Sequence, residues 1–522
     1  MTVQQWLDLA LSDVRRRNLP PLEPLLEGLA GSLQALRAAA EGLDVDGYAA
    51  GAEAPADTPS ADAPTGPVAT DRPAASHALP SIEELTARLT RGDLKAERLA
   101  EECLAAIAAR QPELNAFITV TADEALAEAR AADQAMAAGR PLGPLHGIPM
   151  SLKDLIDQAG VATTAGSRVR MAHRAAGDAP VTARLRAAGA VFVGKANLHE
   201  FAFGTTSDDS GYGAARNPFD PSRSPGGSSG GSAIAVATGM SVASVGTDTG
   251  GSIRIPSAAC GVTGLKPGWG EVPAAGVVPL SRQLDHVGPL ARSVRDAWLL
   301  YDVMCGRAAG TGGAAGGPRG LRVGVPRGYL WDRLDTDVEA RVSEALETLA
   351  SAGARVVEVD IPHAAATPLA YLPLVVSDGA EYHAATLDTV PDAYTANVRF
   401  RFEMGRYILA EDYVRAQRLR ARLLHEVNQA LADVDVLALP ALAIPAPPIG
   451  AVSMPVRGGE EPVRAVMLRC TQLFNMTGHP AMSLPCGRTR DGLPVGLQLV
   501  GHAGGTTRLL SQALGVEAAL AR

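Results

Sequence analysis

The chain has 522 residues, of which 47% are hydrophobic and 20% are charged, and its formal net charge is −9. This length exceeds one ordinary hydrophobic core, so we expect a soluble globular protein with two or more lobes. The acidic balance and the lack of a long basic run argue against general nucleic-acid binding, and we expect no nucleic-acid partner.

Five cysteines lie far apart and form no C-x-x-C motif. This pattern predicts free thiols in a reducing, cytoplasmic compartment and no structural zinc. The first residues, MTVQQWLDLALSDVRRR, are not typical of a signal peptide, because acidic residues interrupt the apolar stretch and the basic residues come last. No stretch of about 18 apolar residues is free of glycine and polar breaks, so we expect no membrane span and no membrane partner.

Residues 1–46 are predicted to form a helical hairpin. Six leucines recur at helical spacing and make one apolar stripe: Leu22, Leu25, Leu26, Leu29, Leu33 and Leu36. A hairpin of this size cannot bury its own stripe, so it must dock on another surface. Two interpretations stay open: a cap on the main domain, or a fused accessory subunit.

Residues 47–79 are rich in Ala, Pro, Asp and Thr and contain almost no large apolar side chains, which predicts an extended linker. The main domain is predicted to span residues 80–522. Ser81 and Glu84 make a capping box for its first helix.

Beyond this point, short apolar segments alternate with helical ones, which indicates an α/β fold with a sheet covered on both faces. The predicted strands lie within 147–157, 191–195, 242–245, 321–328, 354–362, 433–440 and 494–500. The predicted helices extend to about Arg110 and cover 122–138, 181–188, 232–239, 336–352 and 507–520. A flexible surface loop is expected over 308–320, and no repeat of 20–50 residues is visible.

Two Gly-Ser clusters, at 226–232 and 250–252, flank an apolar segment in the middle of the chain. Glycine at this density indicates backbone that needs a positive φ or a very close approach. Ser252 ends the second cluster, where successive backbone N–H groups can form a nest for an oxyanion. Ser252 is therefore a candidate nucleophile, and a serine nucleophile needs a base.

Histidine is the first candidate for that base. No G-x-S-x-G elbow surrounds Ser252, and His146, His286 and His479 have no diagnostic spacing to it, so structural roles are favoured for all three. The other candidate is Lys153, which lies in an apolar strand where burial would lower its pKa and leave a neutral amine able to accept a proton. A buried ion pair of Lys153 with Asp154 or Asp157 stays open as the structural alternative.

The central stretch resembles the amidase signature family, whose serine hydrolases use a Ser–cis-Ser–Lys triad. The resemblance covers about residues 80–520 and rests on five features: G-G-S-S-G-G-S, G-T-D-T-G-G-S-I-R, the strand lysine, G-L-K-P at 264–267 and N-x-T-G-H-P at 475–480. The spacing also agrees, with 75 residues from Lys153 to Ser228 and 24 from Ser228 to Ser252. The fold it implies is α/β, with a mixed central β-sheet covered by helices on both faces, here with an added N-terminal helical hairpin.

The resemblance also implies the roles of individual residues. Ser252 corresponds to the nucleophile, Lys153 to the base, and Ser228, which follows a cis peptide bond, to the serine between them. The implied oxyanion hole consists of four backbone N–H groups, those of Thr249, Gly250, Gly251 and Ser252. Amide hydrolysis through an acyl-enzyme then requires no metal and no organic cofactor, and the glycine cluster lacks the G-K-[ST] of a P-loop. Because members of the family are often dimers, a homodimer is possible.

Two enzymatic functions stay open. The first is an amidase that cleaves a small carboxamide or urea-like amide and releases ammonia or an amine. The second is the glutaminase-type A subunit of a tRNA-dependent amidotransferase. Ile255 stands where that subunit has a glutamine, and Leu468 stands where it has an acidic residue for the α-amino group of glutamine. Both differences disfavour the second function.

Further expectations concern the substrate pocket and the hairpin. Arg401 aligns with an arginine that holds a substrate carboxylate, and Arg469 is a second candidate for that contact. Residues 1–46 weakly resemble the small helical subunits that accompany some amidases and amidotransferases. A third possibility, a catalytically silent scaffold, is disfavoured because Lys153, Ser228 and Ser252 are all present.

Overall fold

The structure is a computed structural model that describes residues 1–17, 23–41, 79–141, 143–309 and 317–521. Its helices are α1 (Val3–Arg16), α2 (Glu23–Glu41), α3 (Ile82–Arg91), α4 (Ala96–Leu114), α5 (Ala122–Ala137), α6 (Pro180–Ala187), α7 (Gly230–Ala237), α8 (Arg254–Ala259), α9 (Val294–Cys305), α10 (Thr336–Ser351), α11 (Thr367–Thr389), α12 (Ala396–Gly405), α13 (Ala410–Leu431), α14 (Val463–Leu468), α15 (Gln472–Met476) and α16 (Thr506–Leu520). Its strands are β1 (Phe117–Val120), β2 (Pro149–Lys153), β3 (Val191–Ala196), β4 (Ala243–Asp248), β5 (Thr263–Lys266), β6 (His286–Ala291), β7 (Arg322–Pro326), β8 (Arg355–Val359), β9 (Val436–Pro440), β10 (Ser453–Val456), β11 (Gly459–Pro462), β12 (Ala481–Arg488) and β13 (Pro494–Val500).

One large mixed sheet organises the described residues. Its 11 strands follow the order β1-β3-β2-β4-β6-β5-β12-β13-β9-β7-β8. The pairs of β2 with β3 and with β4 are parallel, as are those of β7 with β8 and with β9, and the other pairs are antiparallel. Helices cover both faces of this sheet, so the predicted α/β fold with a mixed central sheet is confirmed.

The middle of the sheet is buried because helices cover both of its faces. Every residue of β2, β3, β4 and β13 is buried, as strands covered on two faces require. β2 lies between the parallel strands β3 and β4, with Leu152 level with Lys195 on one side and Val245 on the other. Lys153, the last residue of β2, therefore lies in the buried interior of the protein.

The seven predicted strands are all present, although most are shorter than the apolar segments that indicated them. The helix predicted over 232–239 begins two residues earlier, at Gly230. Ser81 caps α3, since its hydroxyl accepts the N–H of Glu84 at 3.2 Å. The predicted capping box is confirmed only in this half, because no contact from the Glu84 side chain to the backbone of Ser81 is found among the described residues. The predicted linker lies outside the described residues except for Leu79, and so does the part of the 308–320 loop between 310 and 316.

The two N-terminal helices, which we call the hairpin, pack together and dock on α13 and α11. Four of the predicted stripe leucines are buried: Leu26, Leu29, Leu33 and Leu36. The expectation for Leu25 is wrong, because this side chain is 47% exposed. A stripe read at i, i+3, i+4 and i+7 is wider than the contact that α2 makes, and Leu25 lies at its edge.

Polar contacts also fix the hairpin on the main domain. The guanidinium of Arg37 donates to both carboxylate oxygens of the fully buried Asp412, at 2.7 and 2.6 Å. The hydroxyl of Tyr407 donates to Asp13 at 3.0 Å, and the indole N–H of Trp6 donates to the carbonyl of Tyr407. The hairpin is therefore bound to the segment between α12 and α13 and to the first turn of α13.

No helix among the described residues is both long enough and apolar enough to cross a bilayer. Each of the five cysteines is a free thiol: Cys103, Cys260, Cys305, Cys470 and Cys486.

Candidate active site

Lys153 ends β2 in contact with two hydroxyl groups. Its ammonium nitrogen donates to Ser228 Oγ at 2.8 Å and to Thr247 Oγ1, on the neighbouring strand β4, at 2.8 Å. The side chain is fully buried, and burial lowers the pKa of Lys153 to about 7 against the opposing charges of Asp248 and Asp285. Near neutral pH a substantial fraction of this amine is thus unprotonated.

The structural alternative for Lys153, a buried pair with Asp154 or Asp157, is wrong, because Lys153 forms no ion pair with either carboxylate among the described residues. Asp154 pairs instead with Lys195, whose ammonium lies 3.1 Å from Asp154 Oδ1 with both side chains fully buried. The interior of this edge therefore holds two lysines with different partners, a carboxylate for Lys195 and hydroxyl groups for Lys153.

Ser228 lies in the turn that precedes α7, and the Gly227–Ser228 peptide bond is cis. The carbonyl of Ser228 accepts the N–H of His199 and the hydroxyl of Ser207, both at 3.2 Å. A Cβ on Gly227 would lie 2.8 Å from Ser207 Oγ and 2.9 Å from the backbone of Thr206. Glycine is required there because another chain segment approaches so closely.

Ser252 follows β4 in a second tight turn. Its carbonyl accepts the N–H of Ser229 at 3.2 Å, which ties the two Gly-Ser clusters together. Ser252 retains 6% exposure, whereas Ser228 and Lys153 have none. Of these three side chains, Ser252 is the one that a molecule entering from solvent can touch.

Several N–H groups of this turn point to no protein acceptor. The backbone N–H groups of Gly250, Gly251 and Ser252 donate to no described residue. Gly251 has a φ of +143°, and a Cβ there would lie 2.2 Å from Thr471 Oγ1. The hydroxyl of Thr471 donates to the carbonyl of Gly250 at 2.7 Å and so turns that carbonyl away from the nest. Such a set of free N–H donors suits an anionic oxygen.

A buried ion pair between Asp248 and Arg254 stabilises the Ser252 turn. Arg254 donates from Nε and from one terminal nitrogen to Asp248, at 2.9 Å each, and Asp248 also accepts the N–H of Ile253 at 3.1 Å. Although burial opposes it, the Arg254 guanidinium holds the pKa of Asp248 well below its usual range. The same guanidinium donates to Gln498 and Asn475 at 2.6 Å. The charged groups of Arg254 and Asp248 are therefore occupied by contacts that stabilise the fold.

The histidines considered as bases have other partners. The Nδ1 of His286 lies 2.7 Å from the carbonyl of Leu284, and the ring of His479 lies between Thr477 and Asn428. Burial lowers the pKa of His479 to about 3. These contacts match the structural roles that the sequence favoured.

Of the four residues predicted to bind substrate, two apolar residues adjoin the Ser252 turn, and two arginines donate to backbone carbonyls of other segments. Leu468 and Ile255 adjoin the Ser252 turn, since Leu468 Cδ2 lies 3.1 Å from the position of a Cβ on Gly250 and Ile255 Cδ1 lies 2.7 Å from one on Gly251. Arg401 donates to the carbonyl of Phe203. Arg469 is committed elsewhere: it donates to the carbonyl of Tyr329 at 2.6 Å and stacks on that ring at 4.2 Å.

Sequence reasoning missed Arg464 and Tyr371. Arg464 lies one helical turn before Leu468 on α14, and its guanidinium is 5.3 Å from the centroid of the Phe203 ring. The hydroxyl of Tyr371 lies 2.7 Å from the position of a Cβ on Gly250. The signal for Arg464 was its spacing of four from Leu468, which places both on one helix face. Tyr371 had no local signal.

A family model described as Amidase matches residues 98–510. The chain is 41% identical over 458 residues to the A subunit of the glutamyl-tRNA(Gln) amidotransferase of Chloroflexus aurantiacus, covering 81% of this chain and 93% of that protein. A crystal structure of an amidase matches 84% of this chain and 99% of its own, with a TM-score of 0.80 and 37% identity. A vestigial protein complex described as revealing the origins of an s-triazine catabolic enzyme matches 84% of this chain and 97% of its own, with a TM-score of 0.78 and 37% identity.

Proposed function

The chain belongs to the amidase signature family and is an amidase-type enzyme acting on C–N bonds, and from this premise we propose that it hydrolyses an amide through an acyl-enzyme on Ser252. The observation that carries the proposal is the contact between Lys153 Nζ and Ser228 Oγ at 2.8 Å, in a site where burial lowers the pKa of Lys153 to about 7. A neutral amine that is hydrogen-bonded to the hydroxyl of one serine can act through that hydroxyl as the base for a second serine.

The proposed reaction begins with the attack of Ser252 Oγ on the amide carbonyl carbon. Ser228 accepts the proton of Ser252 and passes its own to neutral Lys153. The tetrahedral oxyanion is held by the backbone N–H groups of residues 249–252. Collapse breaks the C–N bond, and the proton returns through Ser228 to the leaving amine. Water then cleaves the acyl ester by the same route and yields a carboxylic acid.

A fluorophosphonate tests this proposal directly, because an activated serine displaces its fluoride and forms a stable adduct. We expect intact mass to show one adduct, and peptide mapping to place it on Ser252. Ser252→Ala is expected to remove the adduct. Ser222→Ala, at an exposed hydroxyl bonded to Asp220, is the matched control and should label like the parent chain. A folded protein that forms no adduct would contradict the proposal and leave a catalytically silent scaffold.

For the substrate, we propose a small carboxamide or urea-like amide, with ammonia or an amine as the leaving group. Support comes from Leu468, which lies against the Ser252 turn where a glutamine site would need an acid for the α-ammonium. An apolar side chain cannot pair that charge.

The second candidate is the glutaminase-type A subunit of a tRNA-dependent amidotransferase, and the comparisons favour it. The curated relatives that match at 37–41% identity carry the name of this subunit. An ammonia-release screen over glutamine, aliphatic and aryl amides and urea-derived amides separates the two. Hydrolysis of glutamine that requires a partner protein and tRNA would establish the second candidate and overturn the first.

For the organisation of the chain, we propose an N-terminal accessory segment over 1–46, a linker over 47–79 and a catalytic domain over 80–522. Docking of the hairpin on α11 and α13 supports the first unit. A homodimer remains part of the proposal, and its measurement is the mass of the intact protein by light scattering.

A further inference from the structure

Asp285 immediately precedes β6, and its carboxylate reaches the proposed oxyanion hole. One carboxylate oxygen accepts the hydroxyl of Thr249 at 2.6 Å. The other oxygen accepts the backbone N–H groups of Leu280 and Ser281, at 3.0 and 3.2 Å. The side chain of Asp285 therefore ties its own turn to the first residue of the nest.

The turn that carries Asp285 is held in place by α11 and α13. Ser281 Oγ donates to Asp378 of α11 at 2.5 Å, and the side-chain amide of Gln283 donates to the same carboxylate at 3.0 Å. The oxygen of that amide accepts a hydrogen bond from Arg420 of α13 at 2.8 Å. Because the turn is anchored on both helices, the carboxylate of Asp285 has a fixed position relative to the nest.

Asp285 differs in charge balance from the other carboxylate that acts on Lys153. The charges of Asp248 on β4 and of Asp285 both oppose the lowering of the Lys153 pKa. Asp248 is neutralised by its ion pair with Arg254. The donors to Asp285 are a neutral hydroxyl and two backbone N–H groups, and no cation of the described chain forms an ion pair with it. The charge of Asp285 is therefore left to act on Lys153.

The other titratable groups that interact with these two residues are uncharged at neutral pH. Burial holds the pKa of His199, which feels the charge of Lys153, well below its usual value. Burial raises the pKa of Tyr371, a residue of α11 that feels the charge of Asp285. Burial also raises the pKa of Asp285 itself, to about 6, which leaves it ionised at pH 7 and above. An ammonium that forms on Lys153 at neutral pH therefore meets a carboxylate at Asp285.

We propose that Asp285 is a positioning residue for the acyl transfer, which orients Thr249 in the oxyanion hole and stabilises the ammonium that forms on Lys153. This inference rests on the proposed amidase function and adds a residue to it. While Ser252 attacks, negative charge develops in the nest and positive charge develops on Lys153. A fixed carboxylate compensates the positive charge at a buried site, where electrostatic interactions are strong. A role in forming the turn alone would leave the ionisation of Lys153 unchanged.

The rate of fluorophosphonate labelling at Ser252, measured against pH, tests this role without a known substrate. In Asp285→Asn we expect the midpoint of the pH profile to move to lower pH by about half a unit or more, because a negative charge that favours protonated Lys153 is gone. The labelling rate in the alkaline plateau should fall about tenfold or more, since the ammonium now forms without that charge and the hydroxyl of Thr249 loses its carboxylate acceptor.

Two further variants separate position from charge. Thr249→Val removes the hydroxyl and keeps the carboxylate, so the plateau rate should fall about tenfold while the midpoint stays. Asp378→Asn is the matched control for charge, because it removes a carboxylate that bonds to the same turn through Ser281. Its midpoint should equal that of the parent chain.

An unchanged midpoint in folded Asp285→Asn, or an unchanged plateau rate in Thr249→Val, would overturn the role of Asp285 while labelling of the parent chain still supports the hydrolase. Thr249→Val retains the contacts that close the turn, so it keeps the proposal open to refutation even if Asp285→Asn does not fold. Absence of labelling in the parent chain would instead contradict the proposed function.

Discussion

Lys153 is the residue that sets the expected pH dependence. Its pKa in the folded protein is about 7, below the ordinary 10.5, so the amine becomes neutral as pH rises through 7. We expect kcat/KM to rise with pH along a single ionisation near pH 7 and then to level off. A profile that stays flat between about pH 5.5 and 8.5 would contradict the role of this amine.

The same lysine links stability to pH. Between about 7 and 10.5 the unfolded chain holds a proton on Lys153 that the folded chain does not, so this group makes folding more favourable as pH rises through that window. Below pH 7 both states are protonated, and the slope from this group disappears.

Replacement of Lys153 by methionine separates activity from stability. We expect Lys153→Met to lose about 10²–10⁴-fold in kcat because the base is gone. Its melting temperature at pH 7 should rise by about 2–4 °C, because an apolar side chain replaces a buried amine. Lys95→Met, at an exposed lysine, is the control and should change neither quantity. A melting temperature below that of the parent chain would contradict this explanation.

Gly251 is expected to tolerate no side chain. Its φ of +143° is unsuited to L residues, and an added Cβ would lie 2.2 Å from Thr471 Oγ1. Gly251→Ala should lower kcat by about 10²–10³-fold by displacing the N–H groups of the nest. The control is Gly28→Ala in α2, where nothing lies within 4 Å of the added Cβ. Its activity should match that of the parent chain.

At the scale of elements, one of the polar contacts that hold the hairpin, between Arg37 and Asp412, can be removed by a single substitution. Arg37→Met removes the bidentate partner of the buried Asp412, which keeps its contact with Arg415 at 2.8 Å. We expect a loss of about 1–3 kcal/mol in hairpin docking. The measurement is limited proteolysis between residues 42 and 78, followed by gel filtration. Released hairpin should appear in this variant, whereas Arg98→Met, on the surface of α4, should retain it.

Strands with several large apolar side chains were predictable, and strands with only one or two were not. β3 begins with the apolar run VFV and β13 carries four large aliphatic residues, and both were predicted from the sequence. β5, with the sequence TGLK, and β6, with HVGPLA, have fewer large apolar residues and are buried because of their neighbours in the sheet. Local propensity carries no information about those neighbours.

The site divides in the same way. The candidates Ser252 and Lys153 could be predicted from a glycine-rich turn and from a lysine in an apolar strand, whereas the role of Ser228 is what the family resemblance implies. The position of Arg464 beside Phe203 could not be predicted, because adjacency to Leu468 favoured Arg469. One step along a helix turns a side chain by about 100°, so the neighbour four residues away, Arg464, is the one on the same face.

At the scale of the whole molecule, the main domain should depend on the hairpin that covers α13. Loss of residues 1–78 would expose the apolar surface that now contacts Leu26, Leu29 and Leu33. We expect the shortened chain to melt several degrees lower and to aggregate, and a separate 1–46 peptide to restore it. A peptide with Leu33→Asp should not restore it. A shortened chain as stable and monomeric as the full one would contradict this role.

Covalent attachment of the hairpin has a consequence for enzyme concentration. Because residues 42–78 join α2 covalently to the main domain, docking is intramolecular, with an effective concentration on the order of millimolar. Dilution cannot separate the two parts, whereas a complex of two chains dissociates once the concentration falls below its Kd. The specific activity of the intact chain should therefore stay constant down to nanomolar enzyme. The specific activity of the shortened chain mixed with the separate 1–46 peptide should decline over the same range.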